Sequence, residues 1–533
     1  MKFQGRFVFT LSFILTLLAS ASFLTANDSG NSYTWHSVPL DDVWIHQVYA
    51  RSIASGHPFQ YNQGESETGS TSPLWAIILA PIHLFGLPVI PTSKFLCILF
   101  TAVTCTIAYF VAVHLGERIA GYIFAFSFTL LPYFTFSAVS GTEVPLFVFL
   151  IFLSTLLFLK KKLFLAGAIS GFSILARPEG YILLFLFLLA LIIDALKNHI
   201  GVEKSTIRIL KDVAKFLLPS ILVNALWIIF CFSVTGKPLP MTFYGKAEWY
   251  GILNFDQLSK ISSLIFVQPF IGTSFDSTIL KGIGVLIGLY IFTIGIRQLK
   301  VLGWSYLIVL GFFGPIYLYT LSIELPLGMP IGADQANSVQ NFYFARYLLP
   351  GIALLYFVCI IGFNVILRKR TRTGFIIIVL IVCLATPSLV WQHYQLRNVY
   401  ALNCQNIEEL QVRAARWIAG NIPNNATIAV SDAGAMRYFG NHRIIDLVGL
   451  NTHRIMPFKN AINRISINPP ENESSLEQFW AEEHPEYLAV TNGWHLPLFV
   501  NSRFMKIASF KIDRNTICGG SEIFVLKPLI NTK

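Results

Sequence analysis

The stretch from residue 41 to residue 75, DDVWIHQVYARSIASGHPFQYNQGESETGSTSPLW, decides how the rest of the chain is interpreted. It opens with two adjacent carboxylates, Asp41 and Asp42, shortly after a strongly apolar N-terminal segment. Carboxylates beside a membrane are costly unless they lie in water or perform a function. Asp41 and Asp42 are therefore the first candidates for a catalytic group.

The composition indicates a polytopic α-helical membrane protein. Of the 533 residues, 54% are hydrophobic and 13% are charged, and the mean hydropathy is +0.61. Soluble proteins carry about 25% charged residues. The net charge of +11 does not indicate nucleic-acid binding, because Lys and Arg occur in short blocks between apolar segments. That pattern is typical of cytoplasmic loops.

Apolar segments of up to ~20 residues predict about eleven membrane spans. They cover residues 7–25, 94–115, 118–139, 144–159, 162–176, 180–196, 214–234, 280–296, 303–321, 345–366 and 374–391. Two further apolar segments, 73–90 and 258–275, are interpreted as interfacial or re-entrant. The N-terminal segment resembles a cleavable signal peptide or a retained signal anchor, and the spans that follow favour retention.

The distribution of basic residues predicts the sidedness of the loops. With 73–90 and 258–275 excluded, the basic blocks alternate onto the cytoplasmic side, as the positive-inside rule requires. Every chemically rich loop then lies on the external face. These loops contain Asp41 and Asp42, SGTEVP (140–145), ARPEG (176–180), GKPLPMTFYGKAEW (236–249) and NFYFARYLLP (341–350).

The composition divides the chain into a membrane domain, residues 1–395, and an external α/β domain, residues 396–533. In the second part, QNIEELQVRAARWIAGNI has helical spacing, and NATIAVSD and EYLAVT are typical of buried strands. Cys404 and Cys518 lie in this domain, where an oxidising compartment would allow a disulfide. The sequence leaves open whether they pair.

Several polar residues are candidates for the site. The segment VWIHQVYARSIA predicts a helix with one of the two aspartates as its N-cap. On it, Asp42, His46 and Tyr49 share a face. Glu143 is either a solvated loop acid or a group that orients an acceptor hydroxyl. A divalent cation (Mg, Mn or Ca) would be held by Asp42, His46 and Glu143, although their spacing is not specific for a metal.

Three cations are predicted on the external face: Arg177, Lys246 and Arg346. Arg177 alone is explained by snorkelling from a helix end, whereas Arg346 enters a span directly and Lys246 lies among aromatic residues. Around one acidic site, however, they favour an anionic headgroup, because Arg and Lys bind phosphate. Nearby aromatic residues, including Tyr244, indicate an interfacial belt or sugar stacking. The chain has no Walker loop, HExxH, GxSxG or CxxC pair.

These residues resemble the first external loop of the GT-C membrane glycosyltransferases, in the arabinofuranosyltransferase-like and mannosyltransferase-like branch. The later SGTE, ARPEG, PLPMTFYGK and ARYLLP segments, and DAGAMRYFG near the C-terminus, are similar to the same branch in the same order. Ser70 departs from it, since an aromatic residue is usual there. The first-loop motifs are Asp41-Asp42, Tyr49/Arg51, Gly56-His57, Asn62–Glu65 and Thr71–Trp75.

The resemblance implies sugar transfer from a polyprenyl-monophosphate-linked donor to a glycan or lipid-glycan acceptor at the external face of a plasma (bacterial inner) membrane. Asp41, with Asp42 as second choice, is expected to be the general base of an inverting displacement. Arg177, Lys246 or Arg346 would stabilise the leaving phosphate. Tyr49, Arg51, His46, Tyr244 and Glu143 are expected to bind or orient sugar or acceptor. The alternatives are a flippase for a lipid-linked sugar and a glycan-binding scaffold.

Overall fold

The protein is described from a computed structural model that covers residues 2–27, 33–199, 204–245, 278–301, 346–369, 372–458, 473–492 and 504–529. A helical part comes first and an α/β part follows it along the chain. The predicted span 303–321, the apolar segment 258–275 and Lys246 lie outside the described residues.

Long apolar helices dominate the first part. The helices are α1 (Lys2–Leu24), α2 (Asp42–Ala54), α3 (Pro73–Leu84), α4 (Val89–His114), α5 (Arg118–Phe128), α6 (Pro132–Val139), α7 (Val144–Leu159), α8 (Leu163–Ala176), α9 (Gly180–His199), α10 (Lys204–Thr235), α11 (Met241–Gly245), α12 (Thr278–Val301), α13 (Leu349–Lys369) and α14 (Arg372–Asn406). A short hairpin, β1 (Gln60–Asn62) with β2 (Glu65–Ser66), follows α2.

Within the described ranges, four helices are long and apolar enough to cross a membrane, or five if a bent pair counts as one span. Shorter apolar helices lie at the predicted spans 144–159, 162–176 and 180–196. Leucine and isoleucine on α10 face outward, and Leu226 is 76% exposed. Such a surface is stable only against lipid or another apolar surface. The total of about eleven spans stays a prediction.

The segment 118–139 was predicted as one span, and this prediction is wrong in detail. It forms α5 and α6, which meet at an angle of 62°. Pro132 supplies the reason. It has no N–H to continue a helix, and it disfavours helical backbone at the preceding residue. Leu131 is accordingly extended, with φ −70° and ψ 119°.

The second part is an α/β domain, as the sequence predicted. Its strands are β3 (Thr427–Val430), β4 (Arg443–Asp446), β5 (Tyr487–Thr491), β6 (Phe504–Lys511) and β7 (Glu522–Pro528), in the order β4-β3-β5-β7-β6. The first three pair in parallel, and the last two pairings are antiparallel. Its helices include α15 (Arg413–Asn421), α16 (Gly434–Gly440) and α17 (Glu473–Glu483).

The α/β domain packs directly on the loop that follows α1. One apolar cluster contains Val43 and Tyr61 from that loop together with Ala435 and Met436 from α16. The rings of Trp44 and Tyr438 lie 4.7 Å apart, centroid to centroid. The predicted division at residue 395 falls inside α14. This helix therefore carries the chain without interruption from the apolar part to the domain.

Candidate active site

The site begins at the first residue of α2. Asp42 Oδ2 accepts a hydrogen bond from Arg346 Nη2 at 2.7 Å. The Asp42 side chain is 30% exposed, whereas that of Arg346 is 6% exposed. Arg346 lies in the turn that leads into α13, so this ion pair joins segments more than 300 positions apart in the chain.

One turn along α2, His46 faces a second set of charges. His46 Nε2 lies 3.3 Å from Glu143 Oε2, and both side chains are buried. Glu143 Oε2 accepts no well-aligned hydrogen bond from the described residues, so this contact is mainly electrostatic. The other oxygen of Glu143 accepts a hydrogen bond from Arg177 Nη1. Arg177 Nη2 also donates to Glu179 Oε1 at 2.7 Å.

Tyr347 connects the two guanidinium groups. Its ring centroid lies 5.2 Å from Arg177 Cζ and 5.1 Å from Arg346 Cζ, and its hydroxyl accepts a hydrogen bond from Arg346 Nη2 at 3.2 Å. Cation–π contacts of this kind hold guanidinium groups in place. The contacts therefore form a continuous series that begins at Asp42 and ends at His46, both on α2. We call this cluster the polar ring; it consists of Asp42, His46, Glu143, Arg177, Arg346 and Tyr347.

The charges of the polar ring stabilise one another. Burial disfavours the ionised form of Glu143, but His46 and the Arg177 guanidinium outweigh it and hold the pKa of Glu143 well below its usual range. Burial likewise opposes the charge of Arg177, yet Glu179 and Glu143 raise the pKa of Arg177 above its usual value. Both groups therefore remain charged at neutral pH. The ring presents fixed charges that need no rearrangement to act on a substrate.

Asp41 occupies a different environment from Asp42. It was a candidate N-cap of its own helix, but its backbone is helical and its side chain makes no cap hydrogen bond there. Its two oxygens instead accept hydrogen bonds from the backbone N–H groups of Gly434 and Ala435, at 2.7 and 2.8 Å. Asp41 thus caps the first turn of α16 in the other domain. The sequence predicted that one of the two aspartates caps α2, whereas Asp41 caps α16.

Burial also changes the acidity of this region. Burial, reinforced by the nearby Asp432 carboxylate, raises the pKa of Asp41 to about 8, against the opposing effect of the two backbone N–H groups. Burial similarly raises the pKa of Asp432 to about 6. A proton at Asp41 therefore remains bound through most of the neutral range.

The fold matches solved membrane enzymes at low sequence identity. The structure is similar to the archaeal oligosaccharyltransferase AglB from Archaeoglobus fulgidus, in complex with an inhibitory peptide and a dolichol-phosphate, with 12% identity, a TM-score of 0.56, and 92% of this chain and 69% of that chain covered. It is also similar to ArnT from Cupriavidus metallidurans bound to undecaprenyl phosphate, with 12% identity, a TM-score of 0.55, and 98% of each chain covered. The chain has the GT-C fold.

Sequence comparisons add one match. Residues 405–525 match a family described as a domain of unknown function, DUF8728. No curated protein matches the sequence. The family match covers most of the α/β domain that follows the helical part of the GT-C fold.

In this GT-C structure, two predicted sugar-binding residues contact the α/β domain instead of the polar ring. Tyr49 Oη donates a hydrogen bond to Asn451 Oδ1 at 3.0 Å. Arg51 Nη1 donates to the carbonyl oxygen of Tyr438 at 3.1 Å and stacks on that ring. Tyr244 lies under Lys237, whose Nζ is 4.5 Å from the ring centroid.

An ion pair between a buried carboxylate and a half-buried histidine at the same interface had not been predicted from the sequence. Glu67 is almost fully buried and accepts a hydrogen bond from His453 Nδ1 at 2.9 Å. The Glu67 carboxylate raises the pKa of His453, while burial raises the pKa of Glu67. No local sequence pattern predicts this pair, because Glu67 and His453 are 386 positions apart in the chain. The acidic turn 64–67 within a motif-rich loop was the available signal.

The described residues do not form a site for the expected divalent cation. No group of three His, Cys, Asp or Glu side chains among them could hold a metal ion. Asp42 and Glu143 are instead neutralised by Arg346 and Arg177. A structure of an Archaeoglobus fulgidus oligosaccharyltransferase with a similar fold is a complex with Zn and sulfate, with 13% identity, a TM-score of 0.57, and 90% of this chain and 68% of that chain covered.

Cys404 and Cys518 are both buried and both carry free thiols. The Cys518 thiol donates to Gln411 Oε1 at 3.3 Å, and Cys404 lies beside the carbonyl oxygen of Ser37, 3.9 Å away. Each thiol therefore has a polar neighbour of its own at the base of the α/β domain.

Proposed function

We propose that the chain is a membrane glycosyltransferase that takes a sugar from a polyprenyl-monophosphate-linked donor and transfers it to a hydroxyl of a glycan or lipid-glycan acceptor. Two solved proteins with this fold are named with dolichol-phosphate or undecaprenyl phosphate bound. The polar ring offers the two groups that such a transfer needs, a carboxylate base and cations for a phosphate.

The observation that carries this proposal is the Asp42–Arg346 ion pair. Asp42 is the more exposed partner, so an acceptor hydroxyl can reach it. Arg346 lies beside it as a fixed, nearly buried guanidinium, the side chain best suited to bind a phosphate oxygen pair. A base and a phosphate-binding cation therefore stand in direct contact at one position.

In the proposed step, Asp42 accepts the proton of the acceptor hydroxyl as the acceptor oxygen bonds to the anomeric carbon. The bond from that carbon to the lipid phosphate oxygen breaks, and the phosphate leaves with the electron pair. Protonation removes the negative charge that Arg346 had been paired with. Arg346 is then able to stabilise the charge that develops on the phosphate. A single displacement inverts the anomeric centre.

Asp42 suits the role of base better than Asp41, which the sequence had favoured. Both oxygens of Asp41 already accept backbone hydrogen bonds from α16 of the α/β domain. An acceptor could reach it only by displacing α16. We therefore assign Asp41 the positioning of the α/β domain and Asp42 the chemistry.

We further propose that the site faces the exterior of the membrane. Arg346 lies just before α13 and Arg368 lies in its last turn, so this helix of 21 residues separates the two by about 30 Å, the thickness of a bilayer core. Arg368 pairs with Glu117 at the end away from the α/β domain. The basic loops 160–162 and 368–370 favour the cytoplasm for that end.

The test compares Asp42→Asn with Asp41→Asn in purified protein supplied with polyprenyl-phosphate-linked mannose and arabinofuranose and with octyl glycoside acceptors. Loss of a general base lowers rates by about 10²–10⁴-fold. We expect this loss in Asp42→Asn, which should remain folded and retain polyprenyl phosphate binding. Asp41→Asn should lower the melting temperature and keep more activity.

The same experiment separates an enzyme from a flippase. Full sugar transfer by a folded Asp42→Asn protein would contradict the assigned base. Sugar-lipid movement across vesicles by the wild type, without release of polyprenyl phosphate, would replace the enzyme with the flippase. The release of polyprenyl phosphate, measured with and without acceptor, is the deciding quantity.

A further inference from the structure

One buried nitrogen in the polar ring has no assigned partner. His46 is 2% exposed, and its Nδ1 makes no hydrogen bond to any described residue. A buried ring nitrogen without a hydrogen bond costs free energy, so such groups in native proteins usually have a reason. His46 is not needed for any step assigned to Asp42 and Arg346.

The contact with Glu143 determines which nitrogen of the His46 imidazole carries a proton. Nε2 lies 3.3 Å from a carboxylate oxygen, and a lone pair facing that oxygen would be repelled. Nε2 therefore carries a proton, which in the uncharged form of the imidazole leaves Nδ1 as a hydrogen-bond acceptor. Arg177 holds Glu143 from its other side, which fixes the direction of the imidazole.

The position of His46 relates this acceptor to the proposed reaction. Residues four apart on a helix are neighbours, with Cβ atoms about 6 Å apart. Helical side chains also lean toward the N-terminus, which brings His46 back toward Asp42. A sugar whose hydroxyl is deprotonated by Asp42, or whose anomeric carbon is attacked there, has further hydroxyls at this distance.

We propose that His46 Nδ1 accepts a hydrogen bond from a sugar hydroxyl of the donor or acceptor, so that His46 is a specificity-determining residue whose tautomer Glu143 fixes. This inference rests on the proposed glycosyl transfer. Sites that hydrogen-bond a substrate hydroxyl discriminate strongly against analogues that lack it. His46 would thus select sugars by one hydroxyl position.

Two substitutions distinguish the role of the Nε2 side of the His46 imidazole from the role of its Nδ1 side. The His46→Gln amide reaches the position of Nε2 and can keep the contact with Glu143, but it has no acceptor at Nδ1. The shorter His46→Asn side chain places an amide oxygen near Nδ1 and gives up Glu143. We expect His46→Gln to lower kcat/KM by about 10- to 100-fold, and His46→Asn to lower it less.

Deoxy substrates identify the source of the hydroxyl. With polyprenyl-phosphate mannose and octyl mannoside as the probe pair, each hydroxyl is removed in turn from donor or acceptor. One deoxy compound should be used equally well by wild type and His46→Gln. Wild-type activity in His46→Gln with a loss in His46→Asn would show that only the Glu143 contact matters, and would overturn the inference. Equal losses in both variants with every deoxy substrate would also overturn it.

Failure of the proposed function gives a different result. In that case wild type transfers no sugar from any donor, and the inference about His46 is judged by binding. Octyl mannoside or polyprenyl-phosphate mannose should raise the melting temperature of wild type more than that of His46→Gln. Equal shifts in the two proteins with both compounds would overturn the role of His46 even if no transfer is seen.

Discussion

Asp41 and Asp42 are neighbours in sequence, yet their carboxylates contact different parts of the molecule. Asp42 faces Arg346 in the polar ring, while Asp41 faces the N-terminus of α16. The sequence identified the pair but could not tell its members apart. Their difference arises from residues about 300 to 400 positions away, which no local pattern reports.

The buried Asp41 predicts a specific pH dependence of stability. Its pKa rises from 3.8 to about 8 on folding, so between these values the folded chain holds a proton that the unfolded chain releases. The free energy of unfolding should therefore fall as pH rises through that window. Thermal unfolding of wild type and Asp41→Asn from pH 4 to pH 8 measures this. The slope should be shallower in Asp41→Asn, and identical slopes would contradict the assignment.

At the scale of elements, the contact between α2 and α16 depends on a glycine. A Cβ on Gly434 would lie 2.3 Å from the Asp41 carbonyl oxygen and 2.7 Å from its carboxylate. No side chain fits there unless the two elements separate. Gly434→Ala should therefore lower the melting temperature and weaken the docking of the α/β domain.

Gly420 provides the matched control for that substitution. It lies in α15, and a Cβ there meets nothing within 4 Å. Because alanine favours helix over glycine, Gly420→Ala should stabilise the protein by roughly 0.5–1 kcal/mol. Differential scanning fluorimetry in detergent compares the two variants. A melting temperature for Gly434→Ala at or above that of wild type would show that α16 is not held as described.

Elements with strong local signals were predicted well. The segment 42–54 is a helix because its apolar positions recur at helical spacing, and 427–430 and 487–491 are strands because they are short buried runs. Strand order was not predictable, since β5 pairs with β7 and not with β6, the next strand along the chain. The break at Pro132 was visible in the sequence but masked by the apolar residues on either side.

At the scale of the whole molecule, the α/β domain is bound to the helical part through side chains whose protonation responds to pH. Asp41 caps α16 at one contact, and Glu67 holds His453 at another. In each case the folded state binds a proton more tightly than the unfolded chain does. Both contacts should therefore weaken in the same direction, as pH rises.

The Glu67–His453 pair allows this to be tested without touching the polar ring. Since its pKa is raised above 6.5, His453 contributes stability that is complete below that pH and is lost as pH rises through the folded value. Hydrogen exchange of residues 446–455, corrected for intrinsic rates, should increase between pH 6 and pH 8.5 in wild type. His453→Gln should remove most of that increase, whereas substitution of the exposed His57 by Gln should leave it intact. An increase that persists in His453→Gln would place the pH response elsewhere in the interface, because the neutral amide cannot lose a proton in this range.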